Sequence, residues 1–182
     1  MIVAELFAKE HALFRALFDK LELMLAQRHA RAYADVSVAL RALLPSLDRH
    51  AEIEDIVFRH PPDGADDDHE AIDDSKVLSE VTAQHRALAA LRNEILFALE
   101  RVSDEYSFAK LRTLTESLIN DLRAHLETEE TRLWPLCQGA LKRPLDAVVP
   151  IHLEKRAQAL ETELGRAIAA ISNTSPVELE KS

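Results

Sequence analysis

Leucine, isoleucine, valine and phenylalanine return every three or four positions along most of this chain. Leu6, Phe7, Phe14, Leu17, Phe18, Leu21 and Leu25 fall on one side of a helical repeat and predict a helix over about residues 3–28. Val36, Leu40, Leu43, Leu44, Leu47, Ile53 and Val57 predict a second over 34–60. Leu78, Val81, Leu88, Leu91, Ile95, Leu96 and Leu99 predict a third over 76–102, and Leu111, Leu114, Leu118, Leu122, Leu126 and Leu133 a fourth over 107–133. A narrower stripe, Leu153, Ala157, Leu160, Leu164, Ile168 and Ile171, predicts a fifth helix over 151–172. No run of alternating β-branched residues argues for a strand, so the fold class is all-α.

The breaks between these stripes set the connections. HPPDGADDDHEAIDDS, residues 60–75, combines prolines, a glycine and an aspartate run, and reads as an exposed loop. QRHARAYAD near residue 30 and RVSDEYS near residue 105 are polar and turn-like, with Asp35 a candidate N-cap for the second helix. Pro45 falls inside that helix and predicts a kink or a local restart. Trp134-Pro135 should end the fourth helix. The architecture expected is an up-down-up-down four-helix bundle over residues 1–135 with an additional C-terminal helix. Residues 136–172 hold a connection and the fifth helix, which either caps the bundle or pairs with a second chain as a homodimer. Residues 173–182 are expected to be a mobile tail.

Composition narrows the class. The 182 residues suit one domain with a real core, and 47% apolar residues with only three glycines favour helices. A net charge of −10 disfavours nucleic acid and anionic membrane surfaces as partners. Cys137 is the only cysteine, so no intrachain disulfide forms. The N-terminus is amphipathic and charged rather than a signal peptide, and no apolar stretch of about 18 residues exists to span a membrane. A soluble, cytoplasmic protein is expected.

Six polar residues interrupt the apolar stripes at positions that face inward: His11, His50, Glu54, His85, His125 and Glu129. His11 and His50 are 39 residues apart, and His85 and His125 are 40 apart. From His50 to His125 and from Glu54 to Glu129 is 75 residues in each case. The pattern H…HxxxE thus occurs twice, in register, and each half reads as a helical hairpin. If paired histidines lie at one height, the turns fall near residues 30 and 105, where the breaks are. Each arm is then roughly 19 residues, about 29 Å long.

Residues i and i+4 share a helical face, so His50 with Glu54, and His125 with Glu129, can reach one metal. A carboxylate can also bridge to a second metal. Neutral imidazole suits Fe, Zn, Cu and Ni, carboxylate broadens the choice toward Fe and Mn, and no thiolate is present to suggest a structural zinc site of the cysteine type. Four buried imidazoles and two buried carboxylates would carry a prohibitive desolvation cost without metal or pairing. Asp121, one turn before His125, is a candidate to orient that ring. His29, His60, His69 and His152 lie outside the pattern and read as surface residues. Cys137 reads as structural.

These residues, in this order and spacing, resemble the hemerythrin-like, or HHE cation-binding, family over about residues 1–135. The resemblance implies a non-haem centre of two iron ions with an oxo or hydroxo bridge, Mn or Zn serving as substitutes. Carried over by position, His11, His50, His85 and His125 are terminal ligands and Glu54 and Glu129 the bridges. Oxygen-carrying members have a further histidine where Ala89 stands here, and an aspartate five residues after the fourth-helix histidine. The pattern here looks more like members linked to iron-centre repair, nitric oxide handling, or oxygen and iron sensing. One function class is therefore a protein that binds or senses O₂, NO or peroxide. A second is an enzyme turning over NO or peroxide, or donating iron to damaged centres. A third is a structural bundle holding whatever divalent metal is available. No residue is assigned a catalytic role at this stage.

Overall fold

The computed structural model describes residues 1–27, 30–59 and 74–172. Four long helices make the body: α1 (Val3–Leu25), α2 (Ala30–Arg59), α3 (Asp74–Leu99) and α4 (Glu105–Thr128). One wide helical turn, Glu129–Leu133, continues α4 into two short helices, α5 (Trp134–Leu136) and α6 (Gln138–Leu141). The final helix is α7 (Ile151–Ser172). Helices adjacent in sequence pack side by side (α1 on α2, α2 on α3, α3 on α4), and α1 also packs on α4. No strand occurs among the described residues; Ile2 and Pro144 form an isolated antiparallel bridge.

The apolar stripes form two cores. The larger joins Phe14, Leu17, Phe18, Leu21 and Leu25 of α1 to Leu40, Leu43 and Leu44 of α2, Ile95 and Leu99 of α3, and Leu111, Leu118, Leu122 and Leu126 of α4. The smaller lies at the opposite end, where Val3, Leu6 and Phe7 meet Ile53, Val57, Leu141, Leu145, Val149 and Leu153. The segment after α6, expected only as a connection, thus plugs this end of the bundle. Backbone bonds fix it to the N-terminus: Val3 N donates to Arg143 O, and Leu145 N to Met1 O, both at 3.1 Å.

Several boundaries differ from expectation. Asp35 lies inside α2 rather than at its N-cap. The extra turn is drawn in by Ala32, which is buried, and by Tyr33, whose ring stacks on Phe108 at 3.8 Å. Pro45 does not restart the helix, which runs unbroken from Ala30 to Arg59. Trp134-Pro135 does not stop the helical path, which continues for one short turn through α5. The preceding turn is widened instead, with Trp134 N donating to Glu129 O. The widening sits where Pro135 cannot donate back to Thr131.

Both hairpin turns come earlier than residues 30 and 105: α1 ends at Leu25 and α3 at Leu99. Fourteen residues separate His11 from Leu25, and twenty separate Ala30 from His50. The same fourteen and twenty recur between His85 and Leu99 and between Glu105 and His125. Helical side chains lean toward their own N-terminus. In an antiparallel pair those leans are opposed, so the backbones must be offset for the ring tips to meet. Six residues correspond to about 9 Å of rise.

The fifth helix of the sequence reading, α7, lies along α1 and α2. Leu153, Leu164 and Ala167 are buried and Ile168 is partly so. Ala157, Leu160 and Ile171 of its stripe lie outside the described side chains, as the 60–73 loop and the 173–182 tail lie outside the described residues. Leu164 belongs to the larger core with the bundle helices. Leu164→Ala should therefore cost about 2–5 kcal/mol in denaturant unfolding. Leu23→Ala, at a position 63% exposed, should change stability by less than about 0.5 kcal/mol. Equal, small effects would mean that α7 is not part of the core.

Candidate metal centre

The two cores leave a polar layer between them. It contains His11 from α1, His50 and Glu54 from α2, His85 from α3, His125 from α4, and Glu129 from the widened turn. Five of the six are buried, and His85 is 15% exposed. Two groups form: His11, His50, Glu54 and Glu129, and Glu54, His85, His125 and Glu129. In each, one ligand atom per residue lies within 4.8 Å of the others. The structure therefore brings all six predicted residues together, and both carboxylates are common to both groups.

Each carboxylate divides its oxygens between the groups. Glu54 places Oε1 3.4 Å from His50 Nε2 and Oε2 3.2 Å from His85 Nε2. Glu129 places Oε2 3.3 Å from His11 Nε2 and Oε1 2.7 Å from His125 Nε2. The paired histidine Nε2 atoms face each other at 3.3 Å (His11, His50) and 3.1 Å (His85, His125). Two ligand atoms each about 2.1 Å from one metal lie about 3.0 Å apart at a right angle and about 3.4 Å at the tetrahedral angle. Most of the observed separations fall in that range. All four oxygens of Glu54 and Glu129 are buried without a hydrogen-bond donor. Orphaned buried carboxylate oxygens are costly, and a cation between them removes the cost. The donor set fits metal.

Aromatic rings wall the layer. Phe7 and Phe14 meet the His50 ring edge-on at 5.4 and 5.3 Å. Trp134 covers His11 at 4.9 Å. On the other side α3 touches α2 at few points, and a cleft of about 610 Å³ opens between them. His50, His85 and His125 line it, with Leu47, Ala89 and Leu126. An Arg92–Asp48 ion pair at 2.7 Å ties α3 to α2 beside it.

Outer groups hold the rings. Glu10 accepts from His50 Nδ1 at 2.7 Å and from buried Arg49. Glu130 accepts from His11 Nδ1 at 2.8 Å and forms a two-point pair with Arg15 at 2.8 and 2.9 Å. Gln84 Oε1 accepts from His125 Nδ1 at 3.0 Å. Each bond fixes the Nδ1–H tautomer and turns the Nε2 lone pair inward. Sequence reasoning missed these residues and named Asp121 instead, which is exposed. A signal was present: Glu10, Arg49, Gln84 and Glu130 each sit beside a site residue, and Glu10 to Arg49 repeats the 39-residue interval of His11 to His50. His152 is exposed and Cys137 half-buried, while His29, His60 and His69 lie outside the described residues.

Without a cation the layer balances its charge with protons. Burial disfavours the charged form of His85, yet Glu129 and Glu54 outweigh it and push its pKa up to about 9. His50 is likewise raised well above its ordinary value, by Glu54, Glu10 and Glu129 against full burial. Burial opposes ionisation of Glu129, but the imidazoles of His11, His125, His50 and His85 crowded around it hold its pKa far below the carboxylate range. A histidine with a raised folded pKa adds stability that is fully present below its ordinary 6.5 and lost as pH rises through about 9. Metal-free protein should lose melting temperature between those values. Metal competes with those protons, so apparent metal affinity should rise over the same interval, with proton release on binding. Thermal melts and an indicator-dye titration check both; pH-independent affinity across that window would contradict the assignment.

The hemerythrin HHE cation binding domain matches the chain over residues 76–180. That span holds His85, His125 and Glu129 and includes α7, whereas the resemblance read from the motif ran over about 1–135. The placement of His11, His50 and Glu54 rests on the geometry above. No curated protein and no solved structure matches the chain. With more than half of its length matched by that domain, and a His/Glu layer of this form inside a helical bundle, the chain belongs to the hemerythrin HHE cation-binding domain family.

Proposed function

We propose that His11, His50, Glu54, His85, His125 and Glu129 hold a non-haem di-iron centre, and that the protein uses it to bind or sense a small ligand: O₂, NO or peroxide. The supporting observation is the sharing of Glu54 and Glu129 between two His-pair groups at the base of an open cleft. Two carboxylates and four imidazoles accept iron, with manganese or zinc as substitutes. Bound iron supplies open coordination positions and one-electron chemistry. The chain's own residues do the rest. Glu10, Glu130 and Gln84 orient the imidazoles. Phe7, Phe14 and Trp134 keep water from one side, and the cleft past Ala89 admits the ligand from the other.

A second reading is turnover of NO or peroxide, or donation of iron to damaged centres. The partial exposure of His85 at the cleft favours it, since that side has a route for ions as well as ligands. Steady-state consumption of NO or peroxide, or iron transfer to an acceptor protein, separates it from simple binding. No described helix is long and apolar enough to cross a membrane.

Elemental analysis should find about two irons per chain, with near-ultraviolet charge-transfer absorption that changes on adding NO. Glu54→Ala or Glu129→Ala should lower the metal content toward one or none. Protein that folds but takes up neither iron nor manganese would overturn the proposal, and two metals retained at unchanged affinity in either variant would overturn the bridging roles.

A further inference from the structure

We propose that the two metal positions are built unequal: the His11/His50 position is the tight one, and the His85/His125 position is the weaker one that ligands reach. This rests on the metal-centre reading above. The two halves of the sequence repeat their ligands in register, so nothing in the motif itself distinguishes them. The residues behind the ligands do.

In each half, the residue just before the lone histidine accepts from Nδ1 of the paired histidine on the next helix. In the first half that residue is Glu10, bonded to His50 at 2.7 Å; in the second it is Gln84, bonded to His125 at 3.0 Å. One position therefore has a carboxylate where the other has a neutral amide. Glu10 is 4% exposed, and Arg49 beside it is 1% exposed. Glu10 accepts from both the Arg49 guanidinium and His50 Nδ1. The carboxylate is thus ion-paired with a buried guanidinium on one side and bonded to its histidine on the other.

His11 is backed in the same way. Glu130 takes its Nδ1 proton and is clamped by Arg15. Both imidazoles of this position are therefore tied to an Arg–Glu pair. A hydrogen bond to an ionised acceptor is roughly twice as strong as one to a neutral acceptor, and it makes the imidazole a better donor to metal. Gln84 gives His125 orientation without that charge; its Nε2 reaches Thr128 Oγ1 at 3.4 Å.

Access differs in the same sense. Trp134 covers His11, and Phe7 and Phe14 flank His50. His85 and His125 border the cleft beside His50, and His85 is 15% exposed while His11 and His50 are 1% and 2% exposed. The better-backed position meets the cleft only at the His50 ring and is covered at His11, whereas both rings of the neutral-backed position border the opening. Glu10, Glu130 and Gln84 are positioning residues that set this order.

The test is titration of metal-free protein with cobalt(II), followed by calorimetry. Two steps are expected, the tighter stronger by about 10–100-fold. At one equivalent of cobalt, anomalous scattering should place the metal between His11 and His50. Glu10→Gln should weaken the tight step by about tenfold or more and leave the weak step unchanged. Should loss of that charge leave Arg49 unpaired and the protein unfolded by circular dichroism, Gln84→Glu serves instead, at a half-buried position. It should tighten the weak step by about tenfold and bring the two together. Two equal steps in the unaltered protein, or half-occupancy at both positions at one equivalent, would overturn the inequality while leaving the metal centre intact. Failure of the unaltered protein to bind cobalt at all would overturn both.

Discussion

Two carboxylates with no hydrogen-bond donors, Glu54 and Glu129, are the constraint on which the structure depends. Both are enclosed by protein, and all four of their oxygens face the four histidine rings. Such groups persist in a core only when opposite charge meets them, whether as protons on His50 and His85 or as metal. Each carboxylate must face two histidine pairs at once, so two hairpins have to present their residues at one level. The offset of fourteen against twenty residues, repeated in both hairpins, achieves this.

The remaining architecture encloses that layer on one side and leaves it open on the other. The large core fixes the bundle toward the hairpin turns. The plug of Leu141, Leu145, Val149 and Leu153 closes the opposite end against Val3, Leu6 and Phe7. The widened turn at Glu129–Leu133 lets consecutive acids serve different purposes. Glu129 points between the histidine pairs, and Glu130 reaches His11 and Arg15. The loose packing of α3 on α2 is what keeps a route to His85 and His125.

The helices and the six inward residues were legible because helical periodicity and a repeated interval are properties of spacing alone. The outer residues were not, because a polar or charged residue beside a ligand reads as solvent-facing. Glu10 and Arg49 are buried as an ion pair across α1 and α2, with His50 as the second partner of Glu10. Asp121 is the candidate that spacing offers because it shares a helix with His125, yet the ring turns toward α3, where Gln84 accepts from it. Turn positions were displaced because equal heights of backbone were assumed where the leaning side chains need an offset. The plug was read as a connection, although Leu141, Leu145, Val149 and Leu153 step by four and could have revealed it.

The most direct test is a crystal structure of the iron-loaded protein with anomalous data collected at the iron edge. The account predicts two peaks, one between His11 and His50 and one between His85 and His125, with Glu54 and Glu129 each contacting both. A single peak, or metal bound elsewhere while the His/Glu layer keeps its protons, would contradict it.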